Sequence, residues 1–488
     1  MGWQGVLALL VVVGCVAALV ARRARRARRR RVPDSCDVRE ELLPLEKKLA
    51  PLLPGVTTVT FLRAEAGADA AGAEAWLRAR VASVVSANPW LTSFIGKPRG
   101  ALSLCYASGG KPDVSYFDTV ADDELSEDLS LEELLERLAP LSVGKVRVGD
   151  SRDQLFRVTL VSMRGGSRAL VVSMSHILGD GATFYGVYKQ LSPASEVRAL
   201  VAKRDAGFAA RGDSFSSMLD AAGKKYVQSP RPFLGTVARA ALKGLASALG
   251  LARWLPRPVG RVFHVDASFL EAEKARLRDG ARWVSSNDII TSWYVNEIAE
   301  AGCAKMMAIN LRGRDASLSH DLAGNYLGAT LYAPGDDVSA RGIRGSLAPD
   351  AARAPRAGIL PGLWQSLACP WTIVTNWAAF YTHIELKGFV ARRHLPLLPT
   401  SDTFGLASAC IIFNPGQPEH PDGLAVFASK GYFCGPLPAG GQQSGIVGEE
   451  MTTMLKSARP ERRRCSCAGH ARAVAALPEP AQQAVKAA

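Results

Sequence analysis

The segment Val171-Val172-Ser173-Met174-Ser175-His176-Ile177-Leu178-Gly179-Asp180-Gly181-Ala182 demands a strand, a tight turn and a helix in immediate succession. Ala169–Met174 is an apolar, β-branched run, and Phe184, Val187, Tyr188 and Leu191 follow at helical spacing. Asp180 stands where the helix needs an N-cap. Upstream, Leu155–Met163 is a second apolar run, joined to the first by Arg164-Gly165-Gly166-Ser167, a hairpin signal. A strand that hands over to a helix through a histidine holds that imidazole rigidly at a sheet end. With an ordinary pKa of about 6.5, such a histidine can serve as a general base at neutral pH.

The rest of the chain is read as alternating α and β in two parts, each with its own sheet. Val56–Leu62 is an apolar run, and Trp76, Leu77, Val81, Val84 and Val85 give Ala71–Ala87 a helical pattern. Ser130-Leu131-Glu132-Glu133 forms a capping box ahead of Leu134, Leu135 and Leu138. Residues 200–262 read as a crossover between halves. Within them Pro232–Leu255 is basic and amphipathic; it reads as a helix docking its apolar side on the body, with a membrane surface as the alternative. Ser285 to Asp288 caps a helix through Ile289, Ile290, Trp293 and Ile298, and Met306–Leu311, Gly405–Phe413 and Gly423–Ala428 read as strands. The expected divisions are 3–21, a membrane anchor; 22–54, a basic lead-in; 55–199 and 263–456, two halves; and 457–488, a disordered tail.

Trp3–Ala21 is free of charge and mostly Leu, Val and Ala, long enough to span a bilayer. The run Arg22 to Arg31 follows it directly. Basic residues beside a span stay cytosolic, so the expectation is a single-pass anchor with the body facing the cytosol, at an endoplasmic-reticulum-type membrane. A cleaved address peptide, including a plastid one, is the alternative. The net charge of +14 is concentrated: eight Arg in 1–31 and a net +4 in 456–464 leave the body near +2. Nucleic-acid binders carry their basic face on the fold, so no nucleic-acid partner is expected. Nine cysteines without a C-x-x-C pair argue against a zinc ribbon and lead to an expectation of reduced thiols. No metal site, nucleotide loop, G-x-S-x-G elbow or H-E-x-x-H helix is present.

Several places share an order. His176-x-x-x-Asp180-Gly181 is followed by Ser286-Asn287-Asp288 with Trp293, then Asn310-Leu311-Arg312-Gly313-Arg314, then Gly324-Asn325, then Thr375-Asn376-Trp377 with Phe380-Tyr381. This series resembles the H-x-x-x-D-G acyl-CoA-dependent acyltransferases, the superfamily of the plant BAHD enzymes, chloramphenicol acetyltransferase and peptide-synthetase condensation domains. It covers residues 40 to 455. The D-F-G-W-G block of the BAHD enzymes is replaced by Thr382–Gly388, Asn310 stands for an Asp, and Ser175 stands where condensation domains carry a first His.

The resemblance implies a two-domain, chloramphenicol-acetyltransferase-like α/β fold, acyl-CoA as co-substrate and no bound cofactor. His176 would be the general base for direct attack of an alcohol or amine on a thioester carbonyl. Asp180 would pair with Arg312 and hold the loop, while Thr375 and Trp377 would align with oxyanion donors. Gly181, Asn325 and His383 would lie on the substrate side, and the protein would be a monomer. The two substrates would meet at His176 from opposite faces of a tunnel. A condensation-type enzyme using a carrier-protein thioester, and a non-catalytic binding protein of the same fold, are the competing readings.

Overall fold

The computed structural model describes residues 36–49, 55–110, 115–144, 146, 154–210, 218–251, 259–280, 283–348, 357–398, 407–417 and 423–430. The expected anchor, Arg run and tail lie outside these residues. Among the described residues no helix is long and apolar enough to cross a membrane.

Chain order opens with β1 (Val38–Glu41), α1 (Pro44–Leu49), β2 (Val56–Ala64), α2 (Ala70–Ala87), β3 (Phe94–Gly96), β4 (Ser103–Tyr106), β5 (Phe117–Ala121) and α3 (Leu131–Leu138). The motif region follows as β6 (Phe156–Ser162), β7 (Arg168–Met174) and α4 (Gly181–Tyr188), then α5 (Ala206–Ala210), α6 (Ala221–Gln228) and α7 (Arg231–Ala248). The second half holds β8 (Val259–His264), α8 (Ala267–Leu277), α9 (Ser286–Trp293), β9 (Lys305–Asn310), β10 (Leu327–Tyr332), α10 (Ala340–Ser346) and α11 (Leu363–Ala368). It ends with β11 (Trp371–Asn376), β12 (Phe389–Pro396), β13 (Ala407–Phe413) and β14 (Ala425–Lys430).

Two mixed sheets carry the architecture. The first runs β12-β2-β7-β6-β5 and the second β10-β9-β11-β13-β14-β8, with a small antiparallel sheet β1-β4-β3 beside them. β2 lies in the interior of its sheet, and its first seven residues are all buried, which suits a β-branched run paired on both edges. Helix α2 covers it with Ala73, Leu77, Val81, Val84 and Val85, and Asp69 caps it by accepting from Gly72 N at 2.9 Å. The capping boxes at Ser130 and Ser285 both form.

β12 departs from the expected division of halves. It comes from the second half of the chain yet pairs antiparallel with β2, from Phe389 opposite Ala64 to Pro396 opposite Thr58. Without it the outer edge of β2 would be an open row of N–H and C=O groups. The core follows this crossing: Trp377, Leu386, Phe389, Ile411 and Phe427 pack in one cluster with Val59, Leu77 and Val172.

Two further expectations fail. Helix α7 does not bury its leucines. It buries Pro232, Gly235, Thr236, Arg239 and Ala241, and leaves Val237, Leu242 and Leu245 exposed. Its small-residue side is the one that fits closely against the chain near Cys369 and Trp371, where bulky side chains have no room. The thiols are not all reduced: Cys303 and Cys369 are bonded, their Cα atoms 5.4 Å apart. The bond fastens the end of α11 to the turn before β9 and closes a loop across a sequence separation of 66.

A loop of that length gives a clear expectation. Opening it should cost about 2–4 kcal/mol, or roughly 2–5 °C in thermal midpoint for a chain of this size. Calorimetry of the wild type with and without a phosphine reductant, beside a Cys303→Ala/Cys369→Ala variant, reads it; the reductant should leave the double variant unchanged.

Candidate active site

Leu155 O accepts from Ser175 N at 2.7 Å, so the β6–β7 ladder continues to the residue before His176. A turn closed by Leu178 N to Ser175 O then carries the chain from sheet to helix. His176 sits at its first position, half-buried, with Nδ1 fully enclosed. The imidazole is therefore presented by a rigid strand end. Burial lowers its pKa below 6.5; its own carbonyl, the Asp180 charge, the Asn325 amide and Glu46 oppose this and are outweighed.

Asp180 is 1% exposed and is the N-cap of α4. Its Oδ1 accepts from Thr183 N and Thr183 Oγ1, at 2.9 and 3.1 Å. Its Oδ2 accepts from Arg312 Nη1 at 2.8 Å and from Tyr326 N at 3.1 Å. Both carboxylate oxygens are thus committed to the fold. Arg312, 4% exposed, spends its whole fork. Nε donates to Leu322 O, Nη1 also to Asn310 Oδ1, and Nη2 to Thr183 Oγ1 and Gly324 O. Its guanidinium also lies over the Tyr326 ring at 5.0 Å. The pair bridges the two halves, one partner on the turn after β7 and the other just after β9.

A second buried pair lies behind the same turn, and nothing in the motif pattern pointed to it. Glu46 on α1 accepts from Arg204 Nη2 at 2.9 Å and Nε at 3.1 Å, both side chains almost fully enclosed. Arg204 also donates to Leu178 O, Ala202 O and Ala323 O. Glu46 Oε1 further accepts from Asn325 N and Asn325 Nδ2. That amide also donates to the His176 carbonyl at 2.9 Å. Gly324 makes this crossing feasible: its φ is +140°, and a Cβ there would lie 3.2 Å from the Arg204 guanidinium carbon.

The other expected site residues take varied places. Asn325, read as substrate-side, is buried and its amide nitrogen is spent on the protein; only Oδ1 lacks a partner. At Gly181 it is Trp377 that approaches, since a Cβ would meet the indole edge at 3.0 Å. Trp377 also meets the Tyr185 ring edge-on at 6.3 Å, so it is fastened to the helix that the motif opens. Thr375 stands half-buried on β11, two residues earlier.

His383 is exposed, because Ile384 and Leu386 take the inward positions of that segment and turn it outward. The histidine that is buried here is His394 on β12. Its Nε2 bonds Tyr185 OH and its Nδ1 bonds Thr60 Oγ1, each at 2.9 Å, with the Tyr381 ring 4.6 Å away. Burial pushes its pKa down from 6.5 to about 3. No sequence signal marked Glu46, Arg204 or His394: each is a single polar residue in an ordinary stretch. His320 is exposed, while Asp321 pairs with Arg198 at 2.9 Å. Among the described residues no cluster of side chains could hold a metal ion.

No family model and no curated protein sequence matches the chain. Solved structures do. TRI101 of F. graminearum complexed with ethyl coenzyme A superposes with a TM-score of 0.51 at 11% identity, covering 86% of this chain and 97% of that one. TRI101 of F. sporotrichioides complexed with coenzyme A and T-2 gives 0.50 at 13% identity, covering 86% and 97%. Vinorine synthase gives 0.50 at 14% identity, covering 87% and 95%. At these identities the likeness is one of fold: the chain has the two-domain, chloramphenicol-acetyltransferase-like architecture of these proteins.

Two outcomes follow from the buried groups. Arg312→Ala strands Asp180 in the interior and should cost about 3–5 kcal/mol, read from chemical denaturation. His394 refuses in the native state a proton that the unfolded chain accepts, so the fold keeps its full stability above pH 6.5 and loses it as pH falls towards about 3. His394→Gln should flatten that slope in urea midpoints measured against pH, whatever its effect at neutral pH.

Proposed function

We propose that the protein is an acyltransferase that moves an acyl group from acyl-CoA to a hydroxyl or amine acceptor, with His176 as general base. The observation that carries this reading is the motif turn itself. The turn that carries His176 is fastened by two buried ion pairs and by the Asn325 amide on the His176 carbonyl, and burial favours the neutral imidazole that it presents. The shared architecture with structures that hold coenzyme A or ethyl coenzyme A supports the donor class.

The chemistry follows from the tautomer. Nδ1 is enclosed and has no hydrogen-bond partner, the Asn325 side chain being near it; we assign the proton to Nδ1, which leaves Nε2 to accept one. Nε2 takes the acceptor's proton as its oxygen or nitrogen attacks the thioester carbonyl. The tetrahedral intermediate then collapses with loss of CoA thiolate, and the proton on Nε2 passes to the sulfur. No acyl-enzyme is required. Asp180 does not exchange protons, since both its oxygens are engaged. Thr375 and Trp377 are the groups we assign to the oxyanion, where one donor is worth about 10²–10³ in rate. We further propose that residues 3–21 hold the enzyme at a bilayer, with the body on the side where the Arg run stays. A lipophilic acceptor or donor fits that placement. A carrier-protein thioester is the second donor to test, because Ser175–Gly181 differs from the tandem-His pattern by one residue only.

The test is thiol release on the full chain, offered acetyl-, malonyl-, aromatic and long-chain acyl-CoAs with pooled alcohols and amines. Release should depend on acceptor and vanish in His176→Ala, whose thermal midpoint should stay within a degree or two of wild type. Asp180→Ala should lose both rate and stability; equal melting losses in the two variants would overturn the division of roles. The sign of the pH effect is also set. The base works when neutral, so the acid limb of kcat/KM should fall below pH 6.5. Glu46→Gln removes a charge that raises the His176 pKa and should move that limb lower still.

A further inference from the structure

We propose that α7, the turn after it and residues 359–364 form a surface that lies on an anionic lipid bilayer, apart from the expected anchor at 3–21. Eleven large apolar side chains stand exposed among the described residues, and eight of them are here. Val237, Leu242, Leu245 and Leu249 fall within one arc of about 140° on α7, an arc that also holds the buried Ala241, while Pro232, Thr236 and Arg239 on the other side face the body. Leu251 continues this side beyond the helix. The segment that leads into α11, the helix packed against α7, presents Ile359, 83% exposed, and α11 itself presents Leu363 and Trp364, the latter 69% exposed.

The two pieces form one platform. Arg239 Nη2 donates to Ala368 O at 2.6 Å at the end of α11, and the Phe233 and Trp371 rings meet at 5.1 Å. The Cys303–Cys369 bond then fixes α11 to the body. An apolar face held this firmly is a built feature, and a contiguous one is a site of contact. The exposed Val and Leu of a basic helix, with a Trp and an Ile exposed on the segment packed against it, suit the depth of an acyl–headgroup boundary.

Charge selects the occupant. Lys224, Lys225 and Arg231 stand exposed on α6 and α7, and residues 221–258 contain no Asp or Glu; Arg239 turns into the body, and Asp336 places a carboxylate on the second segment, at Gly358 N. A second copy would bring the same positive surface to meet it, which is repulsive, whereas phosphatidylserine-like headgroups are complementary. Leu45 on α1 packs with Tyr226, Val227 and Trp371, with Phe233 and Leu360 against them, so the N-terminal part of α7 rests on a firm base.

The experiment is hydrogen exchange with mass spectrometry on the full chain, alone, with phosphatidylcholine vesicles and with vesicles containing three parts in ten phosphatidylserine. Flotation shows that the chain is vesicle-bound in each case. Peptides covering 237–251 and 359–364 should exchange about tenfold more slowly on the anionic vesicles than in solution. Leu245→Asp/Leu249→Asp, both exposed and outside the active-site network, should abolish the slowing at an unchanged thermal midpoint. Vesicle-bound chain with no slowing in these peptides overturns the proposal. So does slowing on phosphatidylcholine alone to the same degree, or slowing that grows with protein concentration in the absence of vesicles, which would mark a contact between copies. None of these readouts depends on acyl transfer, so its failure and the failure of the enzymatic reading are separable.

Discussion

The Asp180–Arg312 ion pair is the constraint on which the rest depends. Two unit charges lie 2.8 Å apart, both almost out of reach of water, and they belong to different halves of the chain. Desolvating them is costly, and the attraction offsets that cost only because every remaining lone pair and N–H is also satisfied. Thr183, Gly324, Tyr326, Asn310 and Leu322 do this, and each is thereby drawn into one position. Such a pair is weak evidence for net stability and strong evidence for specificity of arrangement. It determines how the turn after β7 sits against the loop between β9 and β10.

The second pair, Glu46–Arg204, makes the arrangement three-sided. It brings the lead-in helix α1 to the back of the motif turn and holds the carbonyls of Leu178 and Ala323 with one guanidinium. Asn325 links the two systems, donating at once to Glu46 and to the His176 carbonyl. The general base proposed at His176 would need its ring placed to within a fraction of an ångström, and a turn alone does not supply that. The price of precision is a set of buried charges, each of which is costly to remove singly.

The crossing strand β12 has a similar logic at a larger scale. It closes the open edge of the first sheet and carries His394 into contact with Tyr185 on α4. Trp377 touches that same helix from the second sheet. The helix opened by the motif is thus packed by side chains from both halves. The exposed leucines of α7 lie outside this network, which leaves that face available for contact without cost to the site.

Much of this was legible in the chain itself. Apolar runs located β2, β6 and β7, and helical spacing located α2, each within a residue or two, because burial writes its extent and its period into the sequence. His176, Asp180 and Gly181 could be singled out because a strand, a turn and a capped helix lie within one short segment. Pairing across long separations was not legible. Nothing local distinguishes Glu46 or Arg204 from a solvated charge, or His394 from His383, until the fold decides which faces turn inward. The same holds for α7, whose amphipathic pattern announces an apolar side but not what covers it, and for Cys303 and Cys369, whose approach depends on where α11 docks. The local period of side chains determined the elements and the motif turn by itself. Desolvation and pairing of groups far apart in the chain are properties of tertiary structure, and only there was it decided which charges became a scaffold and which apolar face stayed open.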